Sequence, residues 1–270
     1  MLEIAENARC YNLNMKFITD SIRALLEPLF KSTGLDLRAA RWRLKALNTR
    51  GAEVSAILSM DDSPGAPSRR LLDLVPAVLL RARNVSLHLL SERGAPAFVH
   101  TWPGEPHRLM HALVEETKPR LVLEIGTYTG LGCLSILPAL PSGSRLVTFD
   151  LIPWGQFSKT HLKKDDFADG RFEQIVEDLG DRAIAEKHRN LLREADLIII
   201  DAAKDGRLEK NLLANFAAVG LKTGALLVFD DVRFWDMLSI WREIRHPKLD
   251  LTSLGHWTGT GLIDWQNPPG

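Results

Sequence analysis

Runs of apolar residues separated by polar, glycine-bearing turns divide the second half of the chain into strand–helix pairs. Residues 121–125 (LVLEI) form an apolar run broken only by Glu124, which suits a strand buried on both faces. Runs of the same kind follow at residues 145–150 (RLVTFD), 172–176 (FEQIV), 195–201 (ADLIIID) and 225–231 (ALLVFDD). Between them the apolar positions change to helical spacing, as in Leu131, Leu134, Ile136 and Leu137 after Gly130. Helices are expected at residues 105–117, 207–219 and 237–244, and two short strands at LTSLGHW and TGLIDW, joined through residues 258–261. This alternation predicts an α/β, Rossmann-like doubly wound sheet with ligands at the C-terminal ends of its strands.

The first hundred residues read differently. Ile22, Leu25, Leu26, Leu29 and Phe30 share one helical face, and residues 38–47 (RAARWRLKAL) form a basic amphipathic helix carrying Trp42. Such a helix suits RNA or a membrane surface, but a solvated face with one packed tryptophan is the simpler reading. Residues 61–70 (DDSPGAPSRR) are a loop, and residues 71–90 are apolar enough for a helix packed on the main domain. The prolines and glycines of residues 91–106 place a soft boundary near residue 100. Residues 1–100 then form an N-terminal helical segment, serving as lid, substrate cover or dimer contact, and residues 101–270 the sheet domain.

Composition changes this picture little. The 270 residues carry zero formal net charge and 45% hydrophobic residues, which suits a globular chain with a real core and gives no global pull toward nucleic acid or an anionic membrane. Two cysteines, Cys10 and Cys133, make no disulfide framework, and no apolar run approaches the roughly 20 residues of a membrane span, so a cytoplasmic location is expected. His107 and His111 stand four apart without the acid and third ligand of a metal helix and read as ordinary helix residues.

The chemistry begins at residues 121–137. Gly126 and Gly130 bracket a turn between strand and helix, where the missing Cβ and free N–H groups admit a ligand to the backbone. The spacing is G-x-x-x-G, which is neither the dinucleotide fingerprint nor a P-loop. Glu124 just before it would repel a pyrophosphate and favour a cationic ligand. The segment LEIGTYTG resembles motif I of class I S-adenosylmethionine (SAM) methyltransferases, closest to the catechol and caffeoyl-CoA O-methyltransferase group. The resemblance implies a seven-stranded sheet with its last strand antiparallel, and cofactor contacts at Glu124, Gly126, Thr127, Tyr128 and Gly130. Asp150, 24 residues beyond Gly126, stands where a nucleotide-type fold takes both ribose hydroxyls. Asp178, after the third strand, would face the adenine, with a helix N-cap as the equal alternative. Trp154 suits either the adenine or core packing.

At the ends of the next strands stand Asp201, Lys204, Asp230 and Asp231. Carboxylates gathered in this way repel one another unless a hard cation joins them, and Mg²⁺ or Ca²⁺ prefers such oxygen ligands. DAAK is similar to the D-x-x-K of the catechol O-methyltransferase family, and FDD to its strand-end Asp–Asn pair. That implies Asp201, Asp230 and Asp231 as metal ligands and Lys204 as general base. Asp231 departs from the family's Asn, as related sugar and macrolide enzymes do, and Gly206 and Arg207 replace a tyrosine often found near the motif. The implied function is SAM-dependent methyl transfer to a hydroxyl of a small molecule, with no nucleic-acid or membrane partner and a homodimer allowed. Trp42 and Trp102 would cover the mouth, and Trp235 and Trp241 are candidates for an apolar wall. The alternatives are a metal-independent N- or O-methyltransferase and a non-catalytic SAM-binding regulator.

Overall fold

A computed structural model describes residues 65–101, 106–234, 237–254, 256 and 258–267. The helices expected around residues 22–30 and 38–47, Cys10, Trp42, Trp102 and Trp235 lie outside the described residues. The chain divides into Met1–Thr49 and Arg50–Gly270, and the second unit holds every element named below.

Seven strands form one sheet: β1 (Leu121–Ile125), β2 (Arg145–Asp150), β3 (Phe172–Val176), β4 (Leu197–Ile200), β5 (Leu226–Asp230), β6 (Lys248–Asp250) and β7 (Thr260–Asp264). Their order is β3-β2-β1-β4-β5-β7-β6, and β7 runs antiparallel to both of its neighbours. Every residue of β1, β4 and β5 is buried, as continuous apolar runs in parallel strands require.

Strand alternation sends side chains into two separate cores. Val122, Leu146, Ile199 and Val228 meet α1 (Arg69–Ala82), α2 (His88–Glu92), α3 (His107–Thr117) and α4 (Leu131–Ile136). Leu123, Phe149, Ile198 and Phe229 meet α5 (Arg182–Lys187), α6 (Arg189–Glu194), α7 (Arg207–Val219) and α8 (Met237–Glu243). Residues 69–92 therefore share the core of the sheet. Among the described residues no helix is long and apolar enough to cross a membrane.

Two expected elements differ. The single helix at residues 71–90 is two, because Asn84 N–H bonds Arg81 O and Val85 N–H bonds Ala82 O, closing tight turns after α1. The strand expected at LTSLGHW lies earlier, at Lys248–Asp250. Asp250 Oδ1 accepts Thr252 N–H at 2.8 Å, and residues 252–254 turn into a 3₁₀ helix. The strand expected at TGLIDW is β7, Thr260–Asp264. The Trp241 ring occupies the space a Gly261 Cβ would need, at 2.4 Å.

Register places the chemistry. Ile125 pairs with Ile200 and Ile200 with Phe229, so the residues that come next, Gly126, Asp201 and Asp230, emerge side by side at one edge of the sheet.

Candidate active site

The turn after β1 is built by residues that only its backbone demands. Gly126 has φ 106°, and a Cβ there would lie 1.9 Å from the Asp201 carbonyl oxygen. Gly130, at φ 88°, caps α4, where a Cβ would overlap Leu162. Tyr128 takes a left-handed φ of 42° and remains exposed, with its ring edge-on to Phe157. Asp150 secures this turn and the next: its Oδ2 accepts Tyr128 N–H at 2.8 Å and its Oδ1 accepts Ile152 N–H at 3.0 Å. Thr127 is buried, its hydroxyl 2.9 Å from that of Thr148 and accepting from Gln174 Nε2 at 3.0 Å.

A cavity of about 790 Å³ opens beside this turn, lined by Gly126, Tyr128, Asp150, Asp178 and Asp201 among others. That volume suits a nucleoside-sized ligand. Asp178 Oδ1 accepts Gly180 N–H at 2.7 Å; the N-cap of α5 is Asp181 instead, which accepts Ala183 N–H at 2.7 Å. Trp154 stacks on Phe167 and packs on the core; it is not itself among the residues lining this cavity.

Glu124, expected beside the cofactor, is buried behind the turn. It points away from the cavity, into the sheet's first core, where Oε2 accepts the Cys133 thiol at 2.6 Å and the Thr148 hydroxyl at 2.9 Å. Burial pushes its carboxyl up to about 8, against the pull of those two donors, so it is mostly neutral near pH 7. Gly132 makes room for it, since a Cβ there would lie 2.2 Å from Glu124 Oε1. Burial and the neighbouring Glu124 also push the Cys133 thiol up.

At the ends of β4 and β5 the expected four residues do meet. Lys204 Nζ donates to Asp201 Oδ1 at 2.6 Å and to Asp230 Oδ2 at 3.2 Å, and lies 3.0 Å from Asp231 Oδ2. Burial acts to lower the Lys204 pKa, but the three carboxylates overcome it and hold the ammonium well above its usual range. Burial alone would raise Asp201, yet Lys204 keeps it below the usual carboxylate value. Asp230 goes the other way: burial, then repulsion from Asp231 and Asp201, raises it well above that value despite Lys204.

The structure adds residues that spacing alone did not single out. Lys204 sits at φ 56°, held there by Glu209, whose buried carboxylate accepts Lys204 N–H and Gly206 N–H, each at 2.9 Å. Glu209 is the third residue of α7, a place where an acid commonly reaches back to the helix start, so a signal existed. His256 had none: it arrives only because Asp230 pairs with Thr260 across β5 and β7. Its Nδ1 lies 2.8 Å from Thr260 Oγ1 and 3.3 Å from Asp230 Oδ1, and Thr258 donates its hydroxyl to Asp231 Oδ1. Among the described residues, Asp230, Asp231 and His256 form the group whose ligand atoms all lie within 4.8 Å of one another. Asp201 joins them through Lys204. Of the two histidines read as ordinary, His111 contacts Ser135 O at 2.9 Å, whereas His107 is buried and close enough for its charge to favour ionised Asp201.

Residues 123–232 match a family model described as a methyltransferase domain. Catechol O-methyltransferase from Mus musculus is 29% identical over 128 residues, covering 46% of this chain and 47% of that protein. Transmembrane O-methyltransferase from Homo sapiens is 29% identical over 189 residues, covering 60% of this chain and 65% of that protein. The chain thus spans about half to two thirds of the length of these curated relatives. Among solved structures, a methyltransferase from Podospora anserina bound to S-adenosylhomocysteine aligns with a TM-score of 0.46 at 17% identity, covering 74% of this chain and 97% of that one.

Proposed function

We propose that this chain, which belongs to the class I SAM-dependent methyltransferases of the catechol O-methyltransferase type, transfers a methyl group to a hydroxyl of a small molecule. One observation carries the reading. Asp201, which lines the large cavity, also bonds the Lys204 ammonium that links it to Asp230 and Asp231, so a donor cradle and an acid–lysine cluster share one wall.

In this reading Gly126, Thr127, Tyr128 and Gly130 shape the turn that meets the donor, Asp150 takes the ribose hydroxyls and Asp178 the adenine. Glu124 supports that turn from below as a neutral acid. SAM, when bound, supplies a methyl group on a sulfonium, open to in-line attack by an oxygen. Rate then comes largely from holding that oxygen in line, which the fixed spacing of Gly126 and Asp201 favours.

A divalent cation fits the residues present. Three carboxylates against one ammonium leave negative charge over, and Asp230 Oδ1 is buried with no hydrogen-bond donor, His256 Nδ1 lying 3.3 Å away. Asp201, Asp230 and Asp231 are the residues that would hold Mg²⁺ or Ca²⁺, with His256 beside the last two. Bound there, the cation would acidify the acceptor hydroxyl and take over the carboxylate charge that now keeps Lys204 protonated. Lys204 is the group positioned to take the hydroxyl proton.

A second reading rests on Lys204 itself, whose ammonium already stands among the three acids. In a metal-independent enzyme it would stay there and hydrogen-bond the acceptor. Calorimetric titration of Mg²⁺ into protein saturated with S-adenosylhomocysteine separates the two, with Asp201→Asn as control. Saturable binding lost in the variant supports the metal; no metal heat with the nucleoside bound leaves the lysine form. The finer parts of the proposal are a cytoplasmic location, a homodimer and use of residues 1–100 as acceptor cover or dimer contact. Sedimentation velocity checks the dimer.

A further inference from the structure

Another cavity, of about 460 Å³, adjoins the acid cluster through His256. Its floor is His256 and Thr260, so it ends against the residues that contact Asp230. Leu79, Val99, Leu109 and Leu251 give it apolar walls, wide enough for an aromatic ring with a short side chain. Among the described residues, the arginines Arg83 and Arg108 and the imidazole of His100 line it, and no aspartate or glutamate does.

Those arginines differ from their neighbours. Arg81 bonds Glu116 and Arg93 bonds Asp166, as surface arginines commonly do. Among the described residues neither Arg83 nor Arg108 has a carboxylate partner. Arg108 donates one N–H to Val85 O, which leaves most of its guanidinium fork for another acceptor. Two unpaired guanidinium groups at an apolar cavity are a poor match for a neutral or cationic guest and a good one for a carboxylate.

We infer that this cavity is the acceptor subsite and that it selects hydroxyl compounds with an apolar body and an anionic group, the hydroxyl at the His256–Asp230 floor and the anion at Arg83 and Arg108. The inference rests on the O-methyl transfer proposed above and adds the acceptor's charge.

The test uses 3-(3,4-dihydroxyphenyl)propanoate and its carboxamide, which differ in that charge, with wild type and the double variant Arg83→Gln/Arg108→Gln of the full chain. Wild type is expected to favour the acid by ~10-fold or more in kcat/KM, and the double variant to bring the ratio within ~2-fold of one. A folding defect lowers both rates and leaves their ratio, so the ratio reports the subsite alone. A wild-type ratio near one, or a ratio unchanged in the variant, overturns the inference. If neither compound is methylated, calorimetry of the same pair on protein saturated with S-adenosylhomocysteine decides. Acid preference lost in the variant keeps the subsite while the methyl-transfer reading falls; no acid preference removes the subsite.

Discussion

Glu124 and Asp230 are both buried carboxyls near the C-terminal ends of parallel strands, and burial pushes both up, yet they are opposites in use. Glu124 is surrounded by neutral donors, a thiol and a hydroxyl, and works as a neutral hydrogen-bonding plug. Asp230 is surrounded by charge: Asp201, Asp231, Lys204 and His256, with one oxygen lacking a donor. The difference separates a carboxyl kept for packing from one kept in an unresolved electrostatic balance. A buried group satisfied by neutral partners stabilises a fold, whereas one whose satisfaction waits on a further ligand marks a functional site.

The contrast is most vulnerable on its charged side. Lys204→Met is expected to lower turnover by ~1000-fold, about 4 kcal/mol of transition-state stabilisation, with S-adenosylhomocysteine affinity within ~2-fold of wild type. The same variant should bind Mg²⁺ more tightly, since the ammonium no longer competes for the three acids. Single-turnover kinetics beside calorimetry reads both, and unchanged turnover would end the base assignment.

On the neutral side the effect is on stability. The Glu124 carboxyl is raised to about 8 in the folded protein, above its unfolded value, so the folded state holds the extra proton between those values. Stability is then lost as pH rises through that window. Glu124→Gln has no such proton to lose. Its stability relative to wild type should rise by about 2–4 kcal/mol between pH 5 and pH 8, read from urea midpoints. A difference that does not move with pH would mean that Glu124 is ionised in the fold.

Asp150→Ala should weaken S-adenosylhomocysteine by ~10- to 100-fold, both through loss of the proposed ribose contacts and through the freed Tyr128 N–H. The smallest change expected is in Asp230→Asn, which should weaken Mg²⁺ by ~10-fold while leaving the nucleoside bound. If the nucleoside goes too, the two regions are not separable in the way drawn.

How much of this could be read from residues alone depends on how local each feature is. The strands at Leu121–Ile125 and Leu197–Ile200 announced themselves, because a parallel strand buried on both faces needs an unbroken apolar run. Asp201 and Asp230 could be paired before any coordinates, since parallel strands in register end together. The donors of Glu124 were not legible because they come from α4 and β2, and no spacing within β1 says which face Glu124 takes. His256 was invisible for the same reason. Its place depends on the antiparallel register of β7, and β6 itself was expected too late in the chain. Glu209 was open to view as the third residue of a helix, though not its grip on Lys204.

Gly126 has one more consequence. With the Asp201 carbonyl 1.9 Å from where its Cβ would be, the cofactor turn and the acid-bearing turn touch with no clearance, backbone against backbone. In the proposed transfer, the gap between methyl donor and acceptor is then set by two strands rather than by any exchangeable side chain. Leu79, Arg83 and Arg108 stand on α1, its C-terminal cap and α3, and none of them takes part in that contact. On the proposed methyl transfer, changes in those helices would trade one acceptor for another and leave the distance over which the methyl group travels unchanged.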